Sequence, residues 1–572
     1  MIDIIEEDIL SCFPFEKPRD IQMEAIHEIL QAYNEGYEHV VLDGPTGAGK
    51  SAIAIAVAKY IVEHTEEDEK ALFTTISKYL QDQYLRDFPE LASLRGSQDP
   101  IYTCDDNHLR STEGCVLHMR QTNNRCIGEC PYKKAQKRFL AGPYSLTNTH
   151  FIARLPRSWH MLIIDECHEA GNVVVGAAET PIFREDEVKF NLLFGEGSSR
   201  LVEIWREVRN SLENHSHGEV FEMPRFEGLS EFDVERAQKS VDALAGQPGF
   251  RSLKGHLAGL VRNMAAVTLT ADKEVMYHFD PNEKSDKKDL EKSPVIKPVF
   301  ASDFADKLLF SKGEFILHMS ATICGEDAYA RELGFEDHKW KAVRVRHPIP
   351  ADRRKVYFNS IGWMSKKTEE KDFHKTAEFI DDLHKFYNKN IIIHTASYNR
   401  ANRVRDLSFA PVDVPKSAKE AIAILKKGNV DREGNKTPAI VASPSIMAGV
   451  DGKDEICRIN VIAKMPFPSF GDPRVRYISQ KKPYLIAQQV VRHVVQAAGR
   501  GTRHEEDFSY TFIIDGMFDK LYKDNTQMFP EWFKDSIQWR YNGVLQPLPQ
   551  EIAEFRAKDD QEEGDEPSDL EV

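Results

Sequence analysis

Residues 40–56 constrain the fold of this chain more than any other stretch. The apolar run at 40–42 predicts a buried strand, and a glycine-rich turn leads from it into an apolar helical segment. The turn has the spacing Gly-x-x-x-x-Gly-Lys-Ser, in which backbone N–H groups approach a polyphosphate at the N-terminus of the helix. A chance glycine-rich turn is the alternative, and the flanking strand and helix argue against it. The candidate nucleotide-binding residues of this phosphate loop are Gly44, Thr46, Gly47, Gly49, Lys50 and Ser51.

A second apolar run, at 161–164, is followed directly by two acidic residues. In a phosphate-loop ATPase the lysine of the loop reaches the β- and γ-phosphates, and the serine binds Mg²⁺ together with an aspartate. Asp165 is the candidate for that aspartate, and Glu166 is the candidate for orienting and deprotonating the attacking water. We therefore predict that ATP and Mg²⁺ are the cofactors, with Lys50, Asp165 and Glu166 as catalytic residues.

Arg19 and Gln22 lie in an aromatic-rich segment just before the phosphate loop. This position suits an adenine pocket, in which the amide of Gln22 would bind the edge of the base. An ordinary surface position on a helix is the alternative for Gln22. We predict that both residues contribute to nucleotide binding.

Bulk properties limit the class of protein. The chain has 572 residues, which is too long for one hydrophobic core and predicts three or four domains. The net charge of −16 argues by itself against a nucleic-acid partner, so any contact with DNA requires a local basic groove. The N-terminal residues are acidic, and no run approaches the ~18 apolar residues of a membrane span. We expect a cytoplasmic protein, nuclear in a eukaryote, without membrane association.

Four of the eight cysteines fall in one short segment: Cys104, Cys115, Cys126 and Cys130. This segment has too few apolar residues to build a core, which predicts that a metal centre organises it. The ending Cys-x3-Cys-Pro is similar to an iron–sulfur ligand run, and paired C-x2-C zinc knuckles are absent. The nearby His108 and His118 leave a mixed zinc site open, so the spacing favours iron–sulfur without excluding zinc.

The rest of the chain divides into two parts. Apolar residues recur at helical spacing between about 176 and 271, which predicts a mostly helical insertion. From about 341 strands and helices alternate again, with strands expected at 391–393, 439–442, 460–463 and 511–514. Between these strands Gln496 and Arg500 stand four residues apart, with Arg503 one turn further, which predicts a common helical face. Guanidinium groups from a second domain are typical of an arginine finger.

In this order, the motifs resemble those of superfamily 2 helicases, and within them the XPD/DinG-type iron–sulfur helicases. The resemblance covers roughly residues 19–516 and rests on Arg19 and Gln22, residues 44–51 and 74–83, the four clustered cysteines, and residues 165–168, 320–322, 449–451, 466–468 and 496–503. Two positions depart from the family pattern. Cys167 replaces the usual alanine of the Asp-Glu-Ala-His box, and Ala448 replaces a usual glutamate.

The resemblance implies an α/β fold with two RecA-like parallel-sheet lobes, and with an iron–sulfur domain and a helical Arch domain inserted in the first lobe. The implied boundaries are 1–95, 145–175 and 272–340 for lobe one, 96–144 for the cluster domain, 176–271 for the Arch-like insertion, 341–545 for lobe two and 546–572 for a disordered acidic tail. The four clustered cysteines would hold a 4Fe–4S cluster. Asp451, Gln496, Arg500 and Arg503 would complete the ATP site.

The activity implied by the resemblance is an ATP- and Mg²⁺-dependent 5′→3′ DNA helicase. Its partners would be single-stranded DNA and forked or 5′-tailed duplex DNA, and we expect it to act as a monomer. The same two-lobed ATPase would also suit a translocase or an RNA helicase. A third hypothesis is an ATP-gated DNA-binding clamp that does not separate strands.

Overall fold

The computed structural model describes residues 2–65, 69–96, 99–103, 130–155, 158–182, 199–244, 251–278, 294–364, 370–430, 436–444, 456–502, 507–539 and 545. Several residues singled out by the sequence lie outside these ranges: Cys104, Cys115, Cys126, Asp451, Arg503 and the acidic residues 546–572. Their predicted roles remain predictions.

The first part of the chain alternates helices and parallel strands. Its elements are α1 (Glu6–Cys12), α2 (Asp20–Asn34), β1 (His39–Asp43), α3 (Lys50–His64), β2 (Ala71–Thr75), α4 (Lys78–Asp87), β3 (Ala92–Leu94), α5 (Pro131–Ala141), β4 (Tyr144–Asn148), β5 (Trp159–Asp165) and α6 (Ala170–Ala178). The predicted apolar run forms β1, and its residues Val40, Val41 and Leu42 are fully buried. Val40 and Leu42 pack into one hydrophobic cluster and Val41 into another, so the sheet is covered on both faces.

The next part has its own antiparallel sheet. Its elements are β6 (Thr180–Pro181), α7 (Ser199–Glu213), β7 (Val220–Glu222), α8 (Glu231–Leu244), α9 (Arg251–Thr270), β8 (Glu274–His278) and β9 (Val295–Pro298). The strand order is β6-β9-β8-β7. The apolar stripe that includes Leu201, Trp205 and Val208 forms the core of this part, as its helical spacing predicted. The described part of 176–271 is mostly helical, as predicted, but it also carries β6 and β7, and the sheet continues past residue 271 because β8 pairs with β7 and β9 with β6.

The chain then returns to the first sheet. The returning elements are α10 (Ala305–Leu308), β10 (Gly313–Ser320), α11 (Glu326–Leu333) and β11 (Trp340–Arg344). The strand order of this sheet is β11-β1-β10-β5-β2-β4-β3, and all of its pairs are parallel. Ser320 stands opposite Asp43, and Met319 stands opposite Asp165. The register therefore brings the phosphate loop and the Asp-Glu pair to the same carboxyl edge.

The second half of the chain forms another parallel sheet. Its elements are β12 (Val356–Gly362), α12 (Glu370–Tyr387), β13 (Ile391–His394), α13 (Tyr398–Leu407), β14 (Val412–Asp413), α14 (Ala418–Lys427), β15 (Asn429–Val430), β16 (Lys436–Thr437), β17 (Ile440–Ser443), β18 (Ile459–Ile462), α15 (Pro473–Lys481), α16 (Pro483–Ala498), β19 (Tyr510–Asp515), α17 (Met517–Asp524), α18 (Glu531–Lys534) and β20 (Ile537–Gln538). The strand order is β14-β17-β13-β18-β19-β12-β20. The four strands expected from the sequence correspond to β13, β17, β18 and β19.

The described residues thus form two seven-stranded parallel sheets, which confirms the predicted α/β fold with two lobes. We call the sheet that contains β1 lobe one and the sheet that contains β13 lobe two. No helix among the described residues combines the length and the apolar character needed to cross a membrane.

Candidate active site

The phosphate loop joins β1 to α3 through a backbone that favours glycine. Gly47 and Gly49 have positive φ angles of 83° and 79°, a region that L-residues with a Cβ rarely adopt. Gly49 is the N-cap residue of α3, and no side chain accepts a hydrogen bond from the first turn at this cap. The first N–H groups of the helix are therefore available to an anion at the carboxyl edge of the sheet.

Arg19 and Gln22 lie against the phosphate loop, at the start of α2. The Nη2 of Arg19 donates to the carbonyl oxygen of Gly47 at 2.8 Å, and the Nε2 of Gln22 donates to that of Ala48 at 3.2 Å. The Oε1 of Gln22 accepts from the backbone N–H of Arg19 at 2.9 Å. Both side chains thus hold the loop backbone in this structure, and contact with a base remains a prediction.

Lys50 folds back over the loop from the first turn of α3. Its Nζ donates to the carbonyl oxygen of Gly44 at 2.8 Å and to that of Pro45 at 3.4 Å. An ammonium group held over a turn whose helix start is uncapped is positioned for phosphate oxygens. Gly44 and Thr46 lie on the same loop, so the six loop residues predicted from the sequence are brought together.

The two predicted magnesium ligands are linked through a residue that the sequence did not single out. The hydroxyl of Tyr84 donates to Asp165 Oδ2 at 3.1 Å, and it also forms a hydrogen bond with the side chain of Ser51. Tyr84 is buried in α4, and burial raises the pKa of its hydroxyl well above the ordinary value. A single hydroxyl that contacts both groups shows that Ser51 and Asp165 face one another closely enough to share a small ligand.

Glu166 is fixed by a network that starts from the Asp-Glu-Cys-His box. Its backbone is left-handed, with φ 52°, and its N–H donates to Asp165 Oδ1 at 2.9 Å. Glu166 Oε2 lies 3.3 Å from His168 Nδ1, and Ser320 Oγ lies 2.8 Å from the same nitrogen. Ser320 Oγ also donates to Glu166 Oε2 at 3.4 Å. The Ser-Ala-Thr segment, which begins at the last residue of β10, therefore contacts the box, as the sequence predicted.

The two carboxyl groups are shifted in opposite directions. Burial and the adjacent Glu166 charge raise the pKa of Asp165 above its ordinary value, although Lys50 opposes them. Burial also acts to raise the pKa of Glu166, but the hydrogen bond from His168 and the charge of Lys50 outweigh it and lower that pKa. The ionised carboxylate is therefore favoured at Glu166, whereas at Asp165 it is disfavoured unless a further positive charge offsets the burial. A magnesium ion held with Ser51 would supply that charge.

Lobe two reaches the box through α16. The Nε2 of Gln496 donates to His168 Nε2 at 3.0 Å and to Thr322 Oγ1 at 3.2 Å. Since the amide nitrogen can only donate, His168 Nε2 accepts, and His168 Nδ1 carries the proton shared with Ser320 and Glu166. Gln496, predicted from the sequence, is therefore two hydrogen bonds from the carboxylate of Glu166.

Two further residues of α16 enter lobe one, and the sequence did not identify them. Arg492 is buried and donates to the carbonyl oxygens of His168 at 3.3 Å and Ile323 at 3.2 Å, and to Glu332 Oε2 at 2.7 Å. Gln488 donates to the carbonyl oxygen of Ile323 at 3.3 Å. Gln488, Arg492 and Gln496 recur every fourth residue, and this spacing was the available signal.

The predicted helical face of Gln496, Arg500 and Arg503 was wrong for Arg500. Helix α16 ends at Ala498, and Arg500 lies in a 3-10 turn, Gly499–Gly501. A Cβ on Gly501 would lie 2.2 Å from Ser509 Cβ, so this glycine packs where a regular side chain does not fit. The charge of Arg500 contributes, after burial, to the low pKa of His394 in lobe two, which is about 3. Arg500 thus lies beside the carboxyl end of β13.

Cys130 is the one predicted cluster ligand among the described residues. It is the N-cap residue of α5 and is partly buried, and Pro131 follows it as the first residue of the helix. Its side chain makes no capping hydrogen bond to the helix, so its sulfur can serve as a metal ligand. The other three cysteines lie outside the described ranges, and the cluster remains a prediction.

Two protein-family models match the chain. Residues 15–188 match the family described as type III restriction enzyme, res subunit, and residues 380–536 match the helicase C-terminal domain. The first match contains the phosphate loop and the Asp-Glu-Cys-His box, and the second contains α16. Together they support an ATP-dependent helicase built from two lobes.

Solved structures of similar architecture agree with this class. The structure described as "XPD_Helicase" is 15% identical, with a TM-score of 0.53, over 90% of this chain and 98% of that chain. The structure of S. tokodaii Xpd4 is 13% identical, with a TM-score of 0.51, over 91% of this chain and 100% of that chain. The chain therefore has the XPD helicase fold, and its resemblance to the XPD/DinG-type superfamily 2 helicases is confirmed.

Proposed function

We propose that this protein is an ATP-dependent DNA helicase that moves 5′→3′ along single-stranded DNA and unwinds duplex DNA. The observation that carries the proposal is the continuous set of hydrogen bonds from Glu166 through His168 to Gln496. These hydrogen bonds connect Glu166 of lobe one, which is proposed to act on water, to helix α16 of lobe two. A change at the nucleotide can therefore alter the contact between the lobes, as a motor requires.

The residues present fit a nucleotide and a magnesium ion. The N–H groups of the phosphate loop and the ammonium of Lys50 would hold the phosphates, while Ser51 and Asp165 would hold the metal. When bound, the metal ion neutralises charge on the phosphates and polarises them. We assign Arg19, Gln22, Gly44, Thr46, Gly47, Gly49 and Asp451 to nucleotide binding.

Glu166 supplies the base in this proposal. Its low pKa keeps the carboxylate ionised, and His168 and Ser320 fix its Oε2, so the group is oriented before water arrives. Arg500 and Arg503 are proposed to complete the site from lobe two.

The DNA substrate, the polarity and the 4Fe–4S cluster rest on the resemblance. The acidic net charge of −16 requires that DNA meet a local groove rather than a general positive field. Cys104, Cys115, Cys126 and Cys130 are proposed to hold the cluster, which would fold its segment and act as a wedge at the duplex junction.

Strand displacement with Gln496→Ala tests the proposal. We expect the wild type to displace a strand from a 5′-tailed duplex and not from a 3′-tailed one. The variant should retain nucleotide binding but lose most DNA-stimulated hydrolysis and all strand displacement. Gln489→Ala is the matched control, because Gln489 is an exposed residue of the same helix.

Each alternative has its own result in this assay. DNA-stimulated hydrolysis without displacement would replace the helicase with a translocase, and DNA binding that depends on ATP but not on hydrolysis would indicate a clamp. Equal activity on an RNA tracking strand would indicate an RNA helicase. A Gln496→Ala variant that unwinds like the wild type would contradict the role of the network.

Cys130→Ser tests the cluster separately. The variant should lack brown colour and iron, keep ATP hydrolysis and lose strand displacement. Zinc without iron in the wild-type protein would contradict the cluster, and normal unwinding by the variant would contradict the wedge.

A further inference from the structure

Glu38, His39 and His338 cluster at the amino end of β1, at the opposite end of the strand from the phosphate loop. One potential ligand atom from each lies within 4.8 Å of the other two. Glu38 Oε2 and His338 Nδ1 are 2.9 Å apart. His39 is buried, whereas the side chains of His338 and Glu38 are 34% and 57% exposed. The cluster is thus open to solvent on one side.

The sheet itself brings these residues together from distant parts of the chain. Strand β11 runs parallel to β1, with Trp340 opposite His39. The backbone N–H groups of Glu38 and His39 donate to the carbonyl oxygen of Lys339 at 2.8 Å and 3.4 Å. The segment that carries His338 is therefore fixed against the start of β1 by main-chain bonds, and the cluster does not depend on side-chain contacts alone.

Hydrogen bonds behind His39 connect it to His318 and Tyr329. His39 Nδ1 lies 3.0 Å from His318 Nε2, and His318 Nδ1 lies 3.0 Å from the hydroxyl of Tyr329. A neutral imidazole carries one N–H and one lone pair, so this chain of hydrogen bonds can run in either direction. Tyr329 in turn hydrogen-bonds the Cys167 thiol. A metal ion on His39 Nε2 would select one direction, in which His39 Nδ1 donates to His318 Nε2, His318 Nδ1 donates to Tyr329, and Tyr329 donates to the Cys167 sulfur.

This arrangement leaves the lone pair of His39 on Nε2. The ring is held in place by stacking on Phe335, with ring centroids 4.5 Å apart and an interplanar angle of 11°. The ring of His338 stands across it at 5.1 Å and 78°. Since the other nitrogen of His39 is engaged with His318, Nε2 is the atom it can offer to the cluster. A lone pair, a second imidazole and a carboxylate thus converge on one small volume.

We propose that Glu38, His39 and His338 bind one zinc ion, with water as the fourth ligand. Two imidazoles and one carboxylate form a known zinc ligand set, with metal–ligand distances of about 2.0–2.2 Å. Only the two partly exposed side chains need to shift to reach these distances from the spacing in the structure. The bond from His39 to His318 provides the outer hydrogen bond that a zinc-bound histidine usually makes.

The ion would tie the turn between α11 and β11 to the start of β1. This role is structural, because the cluster lies at the edge of lobe one away from the phosphate loop. Zinc bound to the folded state would stabilise lobe one by mass action and leave the chemistry of the ATP site unchanged.

Metal counting on four proteins tests the site. The wild type, Glu38→Gln, His338→Asn and Glu314→Gln are loaded with zinc chloride, freed of unbound metal and analysed for zinc and iron per chain. We expect Glu38→Gln and His338→Asn each to hold about one zinc fewer than the wild type. Glu314→Gln is the matched control, because Glu314 pairs with His160 at 3.2 Å in another His–Glu contact of lobe one. All four proteins keep the clustered cysteines, so any metal bound there is the same in each and does not affect the comparison.

Loading the proteins with cobalt in place of zinc identifies the ligand atoms of the metal that His338→Asn fails to bind. The spectrum of the cobalt-loaded wild type minus that of His338→Asn should show weak visible bands typical of nitrogen and oxygen ligands. A thiolate charge-transfer band in that difference would overturn the proposal, because the lost metal would then belong to cysteines. Equal zinc in the wild type and in either variant would also overturn it and leave Glu38–His338 as an ion pair. ATP hydrolysis should be the same in all four proteins.

Discussion

Helices α3 and α13 both follow a buried parallel strand, one in each lobe, but their first turns differ. Helix α3 starts from Gly49, and no side chain caps it. Helix α13 starts from Ser397, whose Oγ accepts from the backbone N–H of Arg400 at 3.4 Å. A serine cap satisfies an N–H group that an anion would otherwise bind. The same edge of the sheet is thus open to phosphate in lobe one and closed by a side chain in lobe two.

This difference separates the tasks of the lobes. Lobe one offers main-chain donors at its carboxyl edge, and lobe two offers the side chains of α16. Neither arrangement alone would couple a nucleotide to a change in the contact between lobes. The comparison predicts that changes at the start of α3 affect nucleotide chemistry, whereas changes at the start of α13 affect only stability.

Lys50→Ala should have the largest effect. Hydrolysis should fall by roughly 10³-fold or more, since the ammonium acts on phosphate charge that develops during transfer, and DNA binding should remain. Lys78→Ala is the matched control, because Lys78 is also the first residue of a helix, α4, which Ser77 caps. Steady-state hydrolysis by both variants checks this, and normal turnover by Lys50→Ala would remove the site assignment.

Gly49→Ala should weaken ATP binding by roughly tenfold or more. The added Cβ would lie 2.1 Å from Gln22 Nε2 and would adopt a φ of 79°, which costs about 1–2 kcal/mol. Gly36→Ala separates the two causes, because Gly36 has a φ of 72° but nothing within 4 Å of an added Cβ. Titration with a fluorescent nucleotide should show a loss of affinity for Gly49→Ala alone. An equal loss in both variants would attribute the effect to general destabilisation.

Asp43→Asn should flatten the pH dependence of lobe-one stability. Burial raises the pKa of Asp43 to about 7, helped by the charge of Glu326 and opposed by Lys50. The unfolded aspartate titrates near 3.9, so the folded state binds more protons between these values. Asp43 therefore favours folding at low pH, and this contribution is lost as pH rises towards 7.

Thermal unfolding at pH 5 and pH 8 measures this effect. Relative to the wild type, Asp43→Asn should be more stable at pH 8 than at pH 5, with a slope change of at most about 1.4 kcal/mol per pH unit. His394 at the end of β13 acts in the opposite direction. Burial, followed by Arg500, lowers its pKa to about 3, so its contribution is lost as pH falls below 6.5. Parallel pH profiles for Asp43→Asn and the wild type would show that Asp43 is solvated.

Ser397→Ala should have the smallest effect. Loss of the cap should lower the free energy of unfolding by about 1 kcal/mol and leave ATP hydrolysis unchanged. Ser408→Ala, just beyond the other end of α13, is the control, since its hydroxyl has no hydrogen-bond partner among the described residues. A fall in hydrolysis for Ser397→Ala would show that the start of α13 contributes to the ATP site.

The parallel strands were predictable because both of their faces are buried. A strand such as β19, buried at all six positions, contains an apolar run at 512–514 that stands out in the sequence. The sheet of the insertion was missed, since β6 and β7 have only two and three residues, too few to show a period. Helical spacing identified the core of that region but not its strands.

The site was predictable where a local motif defines it. The phosphate loop and the Asp-Glu pair each follow a recognisable strand, so their residues could be named in advance. The spacing of Arg492 from Gln496 could place both on one helical face, but it could not show that Arg492 is buried, because its partners His168, Ile323 and Glu332 are distant in the chain. The prediction placed Arg500 on a helix because it extended the four-residue spacing from Gln496 through Gly499. Helix α16 in fact ends at Ala498.

The position of β10 has a consequence for synthesis on the ribosome. Strand β1 pairs only with β10 and β11 among the described strands, and both are translated after the whole insertion. Until then, the nascent chain carries the phosphate-loop sequence on a strand with two open edges and a fully apolar centre, which is prone to aggregate. The ATP site therefore cannot assemble during translation until β10 has emerged, and the growing chain would depend on chaperones for protection over that interval.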